Sequence, residues 1–340
     1  MGELKMMKID CQSHIFPLEY VDILMQANSF LKPDDDTFIP PCTEHIDDRV
    51  YRVSYSGWQS FRLDLSVYDP VAKLKSMDEA NVDLAIVSVN IPNPCLLPDR
   101  LSVAGARVIN DYIANLIQDK PDRFAGFASL PWNLPAAAIE EIDRIAKLGF
   151  SGVMLYPHIA GQKLESPQFE PVYAHLEACN LPIIFHPTVP TWGEAIQDFS
   201  MIPMIGFQID TSFGLLRLIL SGIFERHPRL KVVLPHAGGV LPYMMGRIDH
   251  QTEIMGRATD RINQPVSAYL RQNVYFDLVS PSVESIAFAH RFIGGDRLLF
   301  ASDDPWVKPT VFTQLVDQMR ITAGERRQIY NQNAQKLFGL

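Results

Sequence analysis

Side chains that bind metal ions or transfer protons follow several apolar runs of the sequence. The first run leads into Asp10-Cys11-Gln12-Ser13-His14, and two later runs end at His186 and at His236. A fourth continues into Ser302-Asp303-Asp304-Pro305. Buried histidines and carboxylates must be paired to be tolerated, so structural packing alone would not favour this clustering. The pattern indicates a polar site built at the ends of strands.

The spacing after the first run allows two ligands to lie side by side. Side chains alternate along a strand, which places Asp10, Gln12 and His14 on one face. Gln12 and His14 can then bind one divalent ion, and His186 and Asp303 would complete a mixed nitrogen and oxygen set. We expect Asp10 to hydrogen-bond behind the ligands rather than to bind the ion.

Elements that would position these residues recur along the chain as a short apolar run, a polar loop and a segment with helical periodicity. The predicted strands are Lys8–Gln12, Asp83–Val89, Phe124–Leu130, Gly152–Tyr156, Pro182–His186, Leu230–His236, Val274–Leu278 and Arg297–Ser302. The predicted helices are Val71–Ala80, Leu101–Gln118, Ala136–Lys147, Phe169–Cys179, Thr211–Arg226, Thr310–Arg320 and Gly324–Phe338.

Eight strands that alternate with helices predict an α/β fold, a distorted (β/α)8 TIM barrel in one domain over residues 1–340. An open doubly wound sheet is the alternative, but no glycine-rich phosphate loop follows the first strand. The segment Leu18–Tyr68 has weak periodicity and contains Pro33, Pro40 and Pro41. We interpret it as an irregular insertion after strand 1 that covers the catalytic face.

Composition limits the classes of partner. The 340 residues carry a formal net charge of −9, which disfavours nucleic acid or an anionic membrane as the main partner and leaves small anionic substrates open. The four cysteines are far apart, the N-terminus lacks the apolar run of a signal peptide, and we expect no membrane-spanning stretch. These features predict a reduced, cytoplasmic protein.

Several motifs along the chain resemble one enzyme family. Ile9-Asp10-Cys11-Gln12-Ser13-His14-Ile15-Phe16-Pro17 is similar to the strand-1 signature of the amidohydrolase-2 branch of the amidohydrolase superfamily, which includes aminocarboxymuconate semialdehyde decarboxylase. Similar motifs follow in the same order, namely Phe185-His186-Pro187, Gly206–Thr211, Ser221–Pro228, His236-Ala237-Gly238-Gly239 and Phe300–Pro305.

The resemblance implies roles for individual residues. It assigns His14, His186 and Asp303 as metal ligands and His236 as the catalytic acid or base, and it selects Asp303 over Asp304. It also implies that Arg247 binds the substrate carboxylate of a neighbouring subunit, so that the protein is a homodimer. Arg62 matches an arginine that binds substrate within the same subunit, with Arg52 as the alternative.

Two further residues, His158 and Gln12, affect the predicted site. His158 follows the fourth predicted strand and is a candidate pocket residue. Gln12 stands where the family has His or Glu, and its neutral amide favours Mn²⁺ or Mg²⁺ over Zn²⁺. We therefore expect one divalent ion, Zn²⁺ or Mn²⁺, with an affinity weakened by Gln12; loss of the metal is the alternative.

The expected function is a metal-dependent lyase that decarboxylates an aromatic or unsaturated carboxylic acid. His236 and Asp303 are the predicted catalytic residues, and the predicted partner is a small-molecule carboxylate. The same residues also suit a hydrolase of a lactone or amide, or a hydratase, that uses metal-activated water. A barrel without metal that performs acid–base chemistry or only binds a ligand is the third hypothesis.

Overall fold

The computed structural model describes residues 6–30, 41–55 and 58–340 of the chain. Pro33 and Pro40, which belong to the predicted insertion, lie outside these ranges, whereas Pro41 lies within them.

Eight parallel strands form one sheet that curves into a barrel, each strand pairing with the next along the chain. They are β1 (Ile9–His14), β5 (Leu84–Ser88), β6 (Phe124–Ala128), β7 (Gly152–Leu155), β8 (Ile183–Phe185), β9 (Val232–Leu234), β10 (Val274–Asp277) and β11 (Leu298–Leu299), numbered with the three strands of the insertion given below. All eight predicted strands are present. Each is buried along its whole length, as expected when helices cover one face of a barrel and side chains fill its interior.

The barrel closes between β1 and the chain that follows β11. The Cys11 amide donates to Phe300 O at 2.9 Å, and the Asp303 amide donates to Gln12 O at 2.8 Å. A parallel bridge also joins Ser13 to Asp304. This seam places the ends of the first and last strands side by side, so residues 291 positions apart meet in one site.

Most helices cover the outside of the barrel, whereas the short turn Pro235–Gly238 lies at the carboxyl ends of the strands. The helices are α1 (Leu18–Ala27), α2 (Pro70–Ala80), α3 (Asp99–Asp119), α4 (Pro135–Lys147), α5 (Glu170–Ala178), α6 (Phe207–Leu220), α7 (Ile223–Arg226), α8 (Pro235–Gly238), α9 (Leu241–Asp249), α10 (Val266–Asn273), α11 (Val283–Ile293), α12 (Pro309–Gln318), α13 (Ala323–Arg327) and α14 (Asn333–Phe338). Short 3-10 turns lie at Asn28–Phe30, Pro94–Leu96, Pro167–Phe169, Gly193–Ile196, Asp198–Ser200 and Gly295–Arg297, and π turns at Ile202–Gly206, His250–Ile254 and Gln328–Gln332. The local sequence explains where two of these helices begin. Asp69 caps the N-terminus of α2 ahead of Pro70, and Thr322 and Glu325 form a capping box at α13.

One predicted helix is two helices in the structure. Thr211–Arg226 was expected to be continuous, but α6 ends at Leu220 and α7 starts at Ile223. Gly222 between them has φ +76°, and a Cβ at this position would lie 2.5 Å from Arg261 O. The break therefore needs a residue that adopts the left-handed conformation without a side chain.

The insertion after β1 is more regular than predicted. It contains α1 and an antiparallel sheet of β2 (Cys42–Asp47), β3 (Val50–Tyr55) and β4 (Gln59–Asp64), in the order β2-β3-β4. Short strands with few β-branched residues give little periodicity, which explains why the sequence suggested an irregular segment. The alternation of side chains in this sheet decides which residues face the barrel.

A long apolar helical stretch was also not predicted. Asp198–Leu220 meets the length and composition criterion for a helix that crosses a membrane, with a mean hydropathy of 1.2. The stretch is interrupted near its start, since Phe199 has φ +55°. Leu215, Leu218 and Ile219 of its last turns are buried against the barrel. A helix that packs on the core of a globular protein meets the same criterion.

Candidate active site

The carboxyl ends of the barrel strands carry a compact group of ligand-type side chains. The ligand atoms of His14, His186 and Asp303 all lie within 4.8 Å of one another. His14 Nε2 lies 2.8 Å from Asp303 Oδ1, and the rings of His14 and His186 meet edge to face with centroids 4.9 Å apart. Two imidazoles and one carboxylate at this spacing suit a divalent ion.

Hydrogen bonds orient both imidazoles. His186 Nδ1 lies 2.8 Å from Pro187 O, and a carbonyl oxygen only accepts, so Nδ1 carries the proton. The Nε2 atom of the neutral ring is then free to bind a cation. His14 Nδ1 lies 3.1 Å from Ser88 Oγ, which leaves its Nε2 directed at Asp303. Both rings therefore present the same nitrogen to the cluster.

Electrostatics keep the cluster in a form that binds a cation. Burial lowers the pKa of His186 to about 3, and the neighbouring His14 acts in the same direction, so the ring is neutral near pH 7. Burial alone would raise the pKa of Asp303, but its hydrogen bond to His14 and the nearby histidines outweigh burial and lower it. A neutral imidazole and an ionised carboxylate are the forms that coordinate metals.

Gln12 extends the cluster on the β1 side. Its Nε2 donates to Asp303 Oδ1 at 3.1 Å. Its Oε1 is buried and has no hydrogen-bond partner within the described part of the chain. A buried amide oxygen without a partner is costly, and a cation would satisfy it. The donor set of two imidazoles, one carboxylate and this amide oxygen fits a divalent ion.

Asp10 and Asp304 do not join the cluster. Asp10 accepts from the amide and the hydroxyl of Ser302 at 3.0 and 2.5 Å, as expected for a residue that supports the strand ends. The Asp304 carboxylate instead pairs with Lys73. The structure therefore separates the two neighbouring aspartates, since only Asp303 lies beside the histidines.

His236 lies in a sharp turn after β9. Its φ is +58°, that of Ala237 is +56°, and non-glycine residues in this region cost about 1–3 kcal/mol each. Gly238 follows with φ +85°, and a Cβ there would lie 2.6 Å from the Phe276 ring. The His236 amide donates to Asp277 Oδ1 at 2.8 Å. The turn thus holds the imidazole at the catalytic end of the barrel.

The side chain of His236 is poised for proton transfer. Its Nδ1 is buried without a hydrogen-bond partner among the residues that the structure describes. Burial lowers the pKa of the imidazole, with Asp303 acting in the opposite direction. A histidine that is mostly neutral yet close to a carboxylate can exchange a proton with a bound molecule.

A cavity of about 300 Å³ opens beside the cluster, and His186, His236 and Asp303 line it. Its other lining residues are the aromatic side chains Phe61, Phe207 and Trp306, the amides Gln59, Asn90 and Gln208, and Ser60, Ile91, Pro187 and Pro203. Phe61 and Trp306 meet edge to face, with ring centroids 5.9 Å apart. Flat aromatic walls with a few polar groups suit a small ring-shaped molecule.

The three predicted substrate-binding residues do not line this cavity. Arg62 is directly opposite Arg52 on β3, and alternation places both on the outer face of the sheet while Phe61 points inward. The Arg62 side chain is 65% exposed and lies near Asp64. Arg62 is therefore outside the described lining of the cavity, and its role in binding substrate stays a prediction.

Arg247 and His158 also lie outside the cavity lining. Arg247 is exposed on α9, and its contact with the substrate of a neighbouring copy stays a prediction. His158 is buried after β7, where its Nε2 lies 3.0 Å from Val189 O and its Nδ1 accepts from the Gly161 amide at 3.1 Å. His158 thus connects two loops of the catalytic face.

Sequence reasoning missed Asp277 at the end of β10. Its side chain accepts from the amides of His236 and Val279, and burial raises its pKa to about 7. It also missed the aromatic pair of Phe61 and Trp306. Asp277 is the last residue but one of a predicted strand and could have been found by extending the rule that selected His186. Trp306 follows the Asp303 motif, but nothing in its sequence context distinguishes it from a packing residue.

The fold and this site define the class of protein: a (β/α)8-barrel enzyme with a candidate metal site at the strand ends. The amidohydrolase family model matches residues 9–340. Gamma-resorcylate decarboxylase from Rhizobium sp. (strain MTP-10005) is 32% identical over 283 residues, which cover 79% of this chain and 86% of that protein. The chain therefore belongs to the amidohydrolase family, in the amidohydrolase-2 branch that its motifs predicted.

Solved structures agree with this assignment. 2,6-Dihydroxybenzoate decarboxylase in complex with 2,6-dihydroxybenzoate has a TM-score of 0.81 and 27% identity, with coverage of 98% of this chain and 99% of that one. Dihydroxybenzoic acid decarboxylase from Polaromonas sp. JS666, with bound manganese and the inhibitor 2-nitroresorcinol, has a TM-score of 0.80 and 26% identity, with coverage of 98% and 97%.

Proposed function

We propose that this protein is a metal-dependent decarboxylase that acts on an aromatic carboxylic acid. The observation that carries the proposal is the cluster of His14, His186 and Asp303 at the floor of a cavity with aromatic walls. The relatives support it, because the similar enzymes named above are decarboxylases of hydroxylated benzoic acids. We also propose that the barrel and its insertion form a single domain.

His14, His186 and Asp303 would hold one divalent ion, with the Gln12 amide oxygen as a neutral fourth ligand. Such an ion binds and polarises the oxygens of the acid. Two of these four donors are oxygen atoms, and Mn²⁺ accepts oxygen ligands more readily than Zn²⁺ does. Manganese is also bound in the similar Polaromonas enzyme. We therefore favour Mn²⁺ over Zn²⁺.

The residues of the chain would share the remaining work. Phe61 and Trp306, whose rings are in contact, would form one aromatic wall against which the substrate ring packs, and the walls of the cavity would limit water around the reacting carbon. The bond from the ring to the carboxyl carbon breaks, its electron pair stays on the ring carbon, and CO₂ leaves. His236, which is mostly neutral in the free protein, would first take up a proton from solvent, and a ring nitrogen would then donate that proton to the carbon.

A homodimer forms part of the proposal. Phe199, Phe213, Tyr243 and Ile254 expose 86, 52, 84 and 73% of their surface. Their segments are neighbours, since the Val240 amide before α9 donates to Ser212 Oγ of α6 at 3.0 Å. Aromatic side chains grouped on one surface are typical of a protein interface. Arg247 lies on α9 within the same region and would reach the site of the second copy.

The proposal includes a cytoplasmic location, supported by the four cysteines, which are all free thiols. It assigns the exposed side of Asp198–Leu220 to the dimer interface rather than to a membrane.

A substrate panel tests the proposed reaction. Protein loaded with Mn²⁺ is incubated with hydroxylated benzoic acids and, in parallel, with aryl lactones and anilides of the same ring size. Release of CO₂ from an acid supports the decarboxylase. Opening of a lactone or amide without release of CO₂ would support the hydrolase, and binding without any product would support a barrel that only binds its ligand.

A further inference from the structure

Lys73 of α2 is a lysine with almost no contact with solvent. Its side chain is 1% exposed, and the Asp304 side chain beside it is equally buried. Lysine and aspartate are rarely buried this completely unless they are paired. Neither residue lines the cavity, so the pair has a role other than contact with substrate.

Residues from one turn of α2 form hydrogen bonds with both the main chain and the side chain of Asp304. Lys73 Nζ donates to Asp304 O at 2.7 Å and forms an ion pair with its carboxylate. Ser76, three residues further along α2, donates through Oγ to Asp304 Oδ1 at 2.8 Å. These contacts fix the residue next to Asp303 in both position and orientation.

The same carbonyl oxygen is part of the barrel seam. Asp304 O also accepts from the His14 amide at 2.8 Å, so Lys73 and His14 share one acceptor. A second hydrogen bond joins the same two segments, since the Asp303 amide donates to Gln12 O. Lys73 therefore reaches the point where the two segments that carry His14 and Asp303 are joined.

Asp303 needs such support because its backbone is strained. Its φ is +64°, a region that aspartate occupies only when its surroundings hold it there. In this strained conformation Asp303 Oδ1 lies within hydrogen-bond distance of both His14 Nε2 and Gln12 Nε2. Relaxation of the backbone at Asp303 would move this oxygen away from His14.

We propose that Lys73 is a positioning residue that holds Asp303 beside His14 and so preorganises the metal site from the outside of the barrel. This inference rests on the proposed metal-dependent function. It goes beyond that function because it places a determinant of metal affinity on α2, away from the ligands and the cavity. Residues that orient metal ligands typically change metal affinity about 10–100-fold when they are replaced.

The test compares metal affinity in folded proteins that lack substrate. In the double variant Lys73→Met with Asp304→Asn, neither charge remains buried alone, and the new side-chain amide can still accept from Ser76. The matched control is Lys75→Met, which removes an exposed lysine from the same helix. Mn²⁺ affinity is measured by isothermal titration calorimetry, and folding of each metal-free protein is followed by circular dichroism during heating.

We expect the double variant to bind Mn²⁺ about 10-fold or more weakly than Lys75→Met while retaining a cooperative thermal transition. Equal affinity in the two folded proteins would overturn the proposal. If the double variant does not fold, Lys73→Arg replaces it, since it keeps the buried charge but changes the geometry of the contact with Asp304, and an unchanged Mn²⁺ affinity in that variant overturns the proposal. Absence of Mn²⁺ binding in the unmodified protein overturns it as well.

These outcomes are separate from the fate of the proposed reaction. Weaker Mn²⁺ binding in the double variant, together with no release of CO₂ from any acid, would support the role of Lys73 and contradict the decarboxylase.

Discussion

His14 Nε2 and Asp303 Oδ1 lie 2.8 Å apart although 289 positions separate the two residues in the chain. The contact exists because closure of the barrel sets β1 against the segment after β11. It joins an imidazole to a carboxylate at the floor of a cavity, and His186 lies against the same imidazole. The proposed chemistry depends on this contact.

Replacement of Gln12 by Glu should strengthen metal binding. A carboxylate at this position would add a negative charge to a cluster whose ionised ligand is Asp303, so Mn²⁺ affinity should rise about 10-fold or more. The measurement is Mn²⁺ titration by calorimetry. The control is Gln208→Glu, which adds the same charge to the cavity wall. An equal gain in both variants would show that general charge, not ligation at position 12, is responsible.

Replacement of His236 by Gln should reduce turnover without loss of metal. If His236 delivers the proton, kcat should fall roughly 10²–10⁴-fold, which is the usual contribution of a positioned acid or base. The readouts are the rate of CO₂ release and the metal content of the purified variant. His175→Gln on the outside of the barrel is the control. Full activity in His236→Gln would remove this residue from the mechanism.

Asp210 should make folding stability depend on pH. Burial raises the pKa of its carboxyl to about 6 from 3.8, with the Trp192 indole opposing the shift through a hydrogen bond. The folded state therefore holds a proton between about pH 4 and 6 that the unfolded state has released, and stability falls as pH rises through this window. At pH 8 the loss amounts to about 2–3 kcal/mol.

Asp210→Asn removes this titration and should therefore have a higher Tm than the unmodified protein at pH 8. The difference should shrink towards pH 4, where the Asp210 carboxyl is protonated in the folded state and partly protonated in the unfolded state. Thermal melts at the two pH values measure it, and Asp22→Asn on exposed helix surface serves as the control. A difference in Tm of the same size at pH 4 and pH 8 would contradict the raised pKa.

Replacement of Tyr243 by Glu should separate the proposed dimer. The Tyr243 side chain is 84% exposed in a single chain, and a buried charge at an interface is costly. Sedimentation velocity should show a dimer for the unmodified protein and a monomer for the variant. Val71→Glu, at a 75% exposed position on α2, is the control. A dimer that persists in Tyr243→Glu would place the interface elsewhere.

The sequence was sufficient to predict the barrel because its strands are apolar runs separated by helices of clear periodicity. It was also sufficient to predict that His14, His186, His236 and Asp303 lie close together, since parallel strands bring their carboxyl ends to one face. The inner and outer faces of β4 could not be predicted, because its short antiparallel sheet was not recognised. The family resemblance alone suggested Arg62 as a substrate-binding residue, whereas Phe61 is the neighbour that lines the cavity.

Other features depend on contacts that no local pattern reveals. Lys73 looks like any polar residue of an amphipathic helix, and only closure of the barrel buries it beside Asp304. Asp277 lies near the end of a predicted strand, but its pairing depends on the left-handed turn at His236, which positions an amide above its carboxylate. Both are pairings across the fold rather than properties of a segment.

The most direct test of the central claim is product analysis in D₂O by nuclear magnetic resonance. Protein loaded with Mn²⁺ and protein treated with a chelator are each incubated with 2,6-dihydroxybenzoate labelled with ¹³C in the carboxyl group. The account predicts ¹³CO₂ and a ring that carries one deuterium at the carbon that lost it, from the metal-loaded protein alone, with recovery when Mn²⁺ is restored. Equal product from the chelated protein would contradict a metal-dependent decarboxylase.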